Sequence, residues 1–228
     1  MLKKHPYVAC QFPDNATIWK YFPFPAFLTL LENRELYFTR VSTLDDPNEY
    51  PITERDANYF SLSLERYTDA VNRTKEKSFV NCWRLSEYES FGMWSAYADS
   101  ATGIAVKSDV ERLFAAFDEN DERVVTAGKV AYIDTLSEMA QNPADRPNVF
   151  YIACAKTKPY ENEKELRLCY EDSHRVIQDN YVGFPINITT LIKEIYVGSS
   201  AKPYVKDLIE NVLRKHGIYV NVTQSIVK

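Results

Sequence analysis

The sequence predicts an α+β fold, a single domain over residues 1–228 with a mixed, mostly antiparallel central sheet flanked by helices. Three observations carry that reading. Strand-length apolar runs crowd the middle and C-terminal parts of the chain, with helical patterns set among them. The two kinds of element do not alternate in the regular order that a parallel βαβ sheet needs. No internal repeat, low-complexity tract or linker divides the 228 residues, which are enough to bury a substantial core.

The elements follow in order. "ATIWKYF" (16–22) reads as a first strand, and "FPAFLTLLENR" as a short helix with Pro25 in its first turn. "ELYFTRV" (35–41) is a second strand, and "STLDDPNEYP" is a polar turn whose Asp-Pro step interrupts regular structure. Ala57, Phe60, Leu64, Tyr67 and Val71 recur at spacings of three and four, which predicts helix over 54–76. "SFVNCW" (78–83) is a strand, "EYESFGMWSAYA" (87–98) a short helix, and "TGIAVKS" a strand. "SDVERLFAAF" is a helix with a Ser cap and an acid in its first turn.

"ERVVTAGKVAYID" supplies one or two strands. "NVFYIACAKT" (148–157) is nearly continuous in apolar residues, so it reads as a central strand. "YENEKELRLCYE" (160–171) reads as its antiparallel neighbour across the turn "KPYEN". "IKEIYVGSS" is a strand, "KPYVKDLIENVLRKHG" a helix ended by Gly217, and "IYVNVT" a last strand.

Composition narrows the function classes. Hydrophobic residues at 45% and charged residues at 26% are ordinary for a globular protein. The 16 Tyr and 12 Phe predict polar pockets walled by aromatic rings, because buried Tyr hydroxyls need partners. A net charge of −5, with no basic run, argues against a general nucleic-acid groove. A small basic pocket for a nucleotide or phosphate stays open. Neither a signal peptide nor a membrane span is expected, so the sequence reads as cytoplasmic with reduced thiols at Cys10, Cys82, Cys154 and Cys169.

Familiar cofactor loops are missing: no G-x-G-x-x-G follows a strand, and no P-loop occurs. His5, His174 and His216 share no ligand spacing, so no metal site is expected. A Cys82–His174 nucleophile has no orienting signature. The carboxylates of "YENEKELRLCYE" remain. With a period of two, Glu161, Glu163, Glu165 and Arg167 share one strand face, and Lys164, Leu166, Leu168 and Tyr170 the other. Glu163 and Glu165 would then lie about 7 Å apart. At an effective dielectric of about 20 they repel by roughly 2 kcal/mol. Two explanations stand: a solvated salt-bridge ladder on an edge strand, or a site carboxylate held by cations at a pocket wall.

Several blocks carry a family resemblance. "IWKYF", "NRELYFTRVSTLDDPNEY", "FVNCWRLSEYESFGMWSAYADSATGIAVK", "YENEKELRL" and "IKEIYVGSS" resemble, in order, the bacterial domain-of-unknown-function family numbered 2971. The most specific features are Met93, Trp94, Tyr97, Ala98 and Gly103, and the E-x-E-x-R of Glu163, Glu165 and Arg167. In element order the chain also resembles ADP-ribosyltransferase-like folds, some of which write their catalytic Glu within E-x-E. That second resemblance implies that Glu165 stabilises an oxocarbenium-like transition state on NAD, a substrate rather than a resident cofactor, while Glu163 faces the acceptor.

The same resemblance implies that Trp94 and Tyr97 wall the nicotinamide or adenine and that Arg40 meets a phosphate. Lys20-Tyr21 stands where such folds usually carry a first-strand Arg or His, and "FVNCW" replaces their Ser-Thr-Ser-like strand. Lys20 would donate to a ribose or phosphate, and Arg167 would hold one of the acids. The implied activity is ADP-ribosyl transfer or NAD cleavage, on an unnamed protein or nucleic-acid acceptor, in a prokaryotic conflict or phage-defence setting. The alternative is a non-catalytic module whose aromatic and acidic groove binds a protein or nucleotide.

Overall fold

The computed structural model describes residues 1–4, 11–44, 52–135 and 153–227. The chain runs β1 (Leu2–Lys4), β2 (Thr17–Phe22), α1 (Phe24–Asn33), β3 (Glu35–Arg40), α2 (Glu54–Tyr59), α3 (Leu64–Lys77) and β4 (Ser78–Leu85). It continues with α4 (Phe91–Tyr97), β5 (Ile104–Asp109), α5 (Val110–Ala116), β6 (Val125–Lys129), β7 (Ala131–Tyr132) and β8 (Ala155–Lys156). After β8 come β9 (Glu165–Glu171), β10 (Tyr181–Pro185), α6 (Ile188–Leu191), β11 (Glu194–Val197), α7 (Pro203–Lys215) and β12 (Val222–Gln224).

Among the described residues, ten strands form one mixed sheet with the path β1-β6-β9-β4-β2-β5-β11-β12, and β3 and β10 branch from β4. Only β1 with β6 and β11 with β12 run parallel within it. The expected α+β class, with helices flanking a mostly antiparallel sheet, is what the chain adopts. Ile18, Phe22, Val106, Leu166 and Leu168 point to the larger core, where Leu113, Ile209 and Leu213 of α5 and α7 cover them. The opposite face carries two smaller clusters: Val41, Tyr67, Val71 and Val80 beneath α3, and Trp19, Tyr21, Ala105 and Trp94 beneath α4. Each fully buried side chain of this size stabilises the fold by about 1.5–3 kcal/mol.

Several expectations need correction. The helical pattern over 54–76 is two helices, each with its own cap: Thr53 accepts from the Asp56 amide, and Ser63 from the Arg66 amide. Ser61 between them takes a left-handed conformation (φ 56°), which no continuous helix allows. The cap of α5 is Asp109, not Ser108, whose hydroxyl instead donates to the Leu191 carbonyl at 2.5 Å.

The largest correction concerns β9 and its neighbour. Residues 148–152 of "NVFYIACAKT" lie outside the described residues, as do 45–51 of the polar turn. The remainder of that run forms only Ala155–Lys156, paired in parallel with Ala131–Tyr132 in a separate two-stranded sheet. β9 pairs with β4 on one side and β6 on the other. It is interior, which removes the edge-strand explanation, and neither partner is the one expected from the sequence. β1, β10 and α6 were not read from the sequence, being short or sparse in apolar residues.

Candidate active site

The site originates in a fork in the sheet. β4 pairs along one edge with the whole of β9, from Ser78 opposite Glu171 to Arg84 opposite Glu165. Its other edge changes partner. β3 pairs with Phe79 and Val80, whereas β2 pairs with Arg84 and Leu85. Asn81, Cys82 and Trp83 lie between, paired with neither strand. Backbone groups left without a ladder must find other partners. Lys20 Nζ donates to the Cys82 carbonyl at 2.8 Å, and Asn81 Nδ2 donates to the Tyr37 carbonyl at 2.7 Å. The Lys20 ammonium also stands 5.5 Å from the Phe22 ring centroid and 5.8 Å from that of Trp83.

A cavity of about 160 Å³ occupies this fork, lined among others by Lys20, Tyr21, Asn81, Trp83, Tyr97 and Glu165. Burial pushes the Lys20 ammonium below its ordinary pKa, against the opposing pull of Cys82 and the Glu165 carboxylate. The Tyr21 hydroxyl accepts from the Ser90 amide at 2.9 Å, and burial raises its pKa to about 12.

Glu165 opens β9 and is only 4% exposed. A buried carboxylate needs cations and hydrogen bonds to stay ionised. Arg167, fully buried two residues along the same strand face, donates Nε to Glu165 Oε2 at 2.5 Å and Nη1 to the Ala153 carbonyl at 3.1 Å. Lys156 Nζ lies 3.5 Å from Glu165 Oε1 and 2.6 Å from Glu163 Oε2. Burial, the largest single effect, would raise the Glu165 pKa, but Arg167 and Lys156 together overcome it and hold the carboxyl at about 2. The Tyr132 hydroxyl accepts from the Glu165 amide at 2.9 Å, fixing where the strand begins.

Glu163 is not on the strand, and the period-two reading fails there for a local reason. A 3₁₀ turn with Pro159 in its first positions spans Lys158–Glu163, and Lys164 is left-handed at φ 48°. The turn swings Glu163 back toward Lys156. Arg84 pins it by donating Nη1 to the carbonyls of Asn162 and of Glu163, the latter at 3.1 Å. Burial raises the Glu163 pKa, the Glu165 carboxylate adds to the effect, and Lys156 only partly offsets it, leaving the group at about 6. One acid of the pair is therefore firmly ionised and its neighbour titrates near neutrality.

The other residues singled out from sequence divide. Tyr97 and Met93, four apart on α4, both line the cavity. Trp94 does not. It turns toward β2, stands edge-on to Tyr21 at 5.3 Å and donates Nε1 to Glu89 at 3.0 Å. It thus braces a wall of the cavity from behind.

Arg40, expected to meet a phosphate, is not among the residues that line the cavity. It is buried over the Phe79 ring at 4.5 Å, and its guanidinium donates to the carbonyls of Glu76, Ile177 and Asp179. Those bonds tie α3 to the segment before β10, away from the fork. The alternative partners weighed for it, Asp45 and Asp46, lie outside the described residues.

Sequence reasoning missed Lys156, Arg84, Asn81 and Trp83. A lysine ending an apolar run was a usable signal for Lys156. Nothing local marks the others, since the fork exists only once three strands meet.

Residues 93–168 match the model of a family described as "Protein of unknown function (DUF2971)". The span contains Met93, Trp94, Tyr97 and Gly103 as well as Glu163, Glu165 and Arg167, so the resemblance read from those motifs holds there. Among solved structures, the chain is similar to Thermus sp. 2.9 DarT in complex with carba-NAD+, at 12% identity and a TM-score of 0.40, covering 94% of this chain and 97% of that one. It is also similar to Thermus sp. 2.9 DarT in complex with ADP-ribosylated ssDNA, at 12% identity, a TM-score of 0.40 and coverage of 94% and 96%. No curated protein matches the chain.

Proposed function

We propose that this protein cleaves the nicotinamide–ribose bond of NAD and passes ADP-ribose to an acceptor or to water. The observation that carries the reading is Glu165, a buried carboxylate held ionised by Arg167 and Lys156 at the wall of an aromatic cavity. As the bond from the anomeric carbon to the pyridinium nitrogen breaks, its electron pair leaves with nicotinamide and positive charge grows on the ribose. A fixed anion in a water-poor site stabilises that charge without reorganising. Glu163, titrating near neutrality beside Glu165, is suited to take the proton of the attacking hydroxyl or amine. Lys20 and Tyr97 line the same cavity, with the Lys20 ammonium buried against the Cys82 carbonyl. We extend the proposal to a role in prokaryotic conflict or phage defence, the setting implied by the sequence resemblance.

The test is NAD consumption by the purified protein. Glu165→Gln should lower turnover by about 10²–10³-fold with NAD binding nearly unchanged, because only a transition-state interaction is lost. Wild-type protein that consumes no NAD with varied acceptors, and shows no NAD-dependent thermal shift, would instead favour the non-catalytic binding module. If the conflict role is right, expression of wild type arrests bacterial growth and Glu165→Gln does not.

A further inference from the structure

Two polar groups at the fork have no partner among the described residues. Asn81 is 3% exposed and Trp83 is 2% exposed, yet Asn81 Oδ1 and Trp83 Nε1 form no hydrogen bond. Such groups are uncommon in native interiors, because each costs about 1–3 kcal/mol when left unsatisfied. The Asn81 amide is oriented by its Nδ2 bond to the Tyr37 carbonyl, so the oxygen is what remains unpaired. Both residues line the same cavity as Glu165. They stand two apart on β4 and hence on one face of the strand, that of their cross-strand partners Leu168 and Leu166, and they border the cavity from the other side of the sheet to Glu165, at the stretch where β4 lacks a neighbour on one edge.

The chemistry of the pair is specific. An indole nitrogen only donates, and an amide oxygen only accepts. A ligand that satisfies both must present an acceptor and a donor close together on one edge. The cavity, at about 160 Å³, is well below the roughly 300–1,000 Å³ of pockets that enclose drug-sized ligands, so it has room for one small ring and not for a dinucleotide.

We infer that Asn81 and Trp83 recognise the primary carboxamide of a single aromatic ring, with Trp83 Nε1 donating to its carbonyl and Asn81 Oδ1 accepting from its amine. This rests on the proposed NAD reaction and identifies which end of the substrate enters the fork: the nicotinamide ring, with its bond to ribose beside Glu165. The "FVNCW" strand, which lacks the Ser-Thr-Ser-like pattern, then contributes two side chains to recognition. A carboxylic acid in place of the amide would offer acceptors alone and leave Asn81 Oδ1 unpaired.

The experiment is isothermal titration of the intact protein with nicotinamide, nicotinic acid and adenine, with NAD consumption measured separately. The inference expects nicotinamide to bind at least about tenfold more tightly than nicotinic acid and adenine. It also expects Trp83→Phe, which keeps a ring in the core, to weaken nicotinamide by about tenfold while the melting temperature stays within a few degrees. Equal affinity for amide and acid, a preference for adenine, or unchanged nicotinamide affinity in Trp83→Phe would overturn it. If NAD is consumed and Trp83→Phe leaves inhibition by nicotinamide unchanged, the carboxamide assignment fails and the NAD reaction stands. If nicotinamide shows the expected pattern but NAD is never consumed, the carboxamide contact stands and the reaction fails.

Discussion

Lys156 Nζ lies 2.6 Å from Glu163 Oε2, and this contact links two segments that no regular ladder joins. Lys156 closes the two-stranded sheet, whereas Glu163 ends the 3₁₀ turn before β9. Because the same ammonium also reaches Glu165, one buried cation pulls the pKa of both acids down. Its 3% exposure keeps water from screening the interaction. Four expected outcomes follow from this arrangement and its surroundings.

NAD turnover should rise with pH through an apparent pKa of about 6, as Glu163 loses its proton. Glu163→Gln should flatten that limb of the profile. Lys156→Met removes a cation that lowers the Glu163 pKa, so the limb should move to higher pH. A pH–rate profile of the three proteins reads both effects, and a limb that stays in place in Lys156→Met contradicts the assignment.

The two acids oppose each other in stability. Glu165, with its pKa depressed to about 2 from an ordinary value of 4.5, contributes stability above that ordinary value that is lost as pH falls toward 2. Glu163, raised to about 6, contributes stability that is full below 4.5 and is lost as pH rises through 6. Glu163→Gln should therefore lessen the fall in stability between pH 4.5 and 6, and Glu165→Gln should lessen the loss under acid. Denaturant midpoints measured from about pH 2 to above pH 6 read each in its own window.

Arg167→Ala should destabilise the fold by on the order of 3 kcal/mol, because it leaves the Glu165 carboxylate buried with one cation fewer. The cost should shrink in the double variant with Glu165→Gln, which removes the unpaired charge. An unchanged urea midpoint in Arg167→Ala would mean that the pair faces water after all.

Gly103→Ala should cost about 1–3 kcal/mol through overpacking, with no direct effect on the fork. A Cβ there would meet the Asp99 backbone and come within 2.7 Å of Ala98 Cβ. The Asp99 loop is tightly made: its carboxylate accepts from the Ala101 amide at 2.7 Å, and the Gly103 carbonyl accepts from the Gly198 amide at 3.1 Å. A thermal melt reads the loss. This glycine, the last residue of the aromatic motif quoted from the sequence, has a structural role.

Much of the architecture was legible in the chain. The period-two alternation of Leu166, Leu168 and Tyr170 against Glu165 and Arg167 placed β9 with one face on the core, where Leu166 and Leu168 lie; that the charged face is buried as well was not readable from the alternation. The apolar spacing of α7 and its end at Gly217, with φ +75°, followed from local propensity alone. Local chemistry sufficed because those elements are decided by which face must leave water. It failed at Glu163, where a single left-handed residue, Lys164, outweighed the alternation.

The pairing of Glu165 with Arg167 was likewise readable, since two residues on one strand face must meet. What only the tertiary structure decided was the fork. β2 and β3 take opposite ends of one edge of β4, and neither reaches Asn81, Cys82 and Trp83. Lys20 reaches this gap from β2, and Lys156 reaches the acids at its wall from the two-stranded sheet. Sequence spacing encodes which face a side chain takes along one strand. It does not encode where a neighbouring strand stops, and the cavity at the fork lies where β2 and β3 each stop.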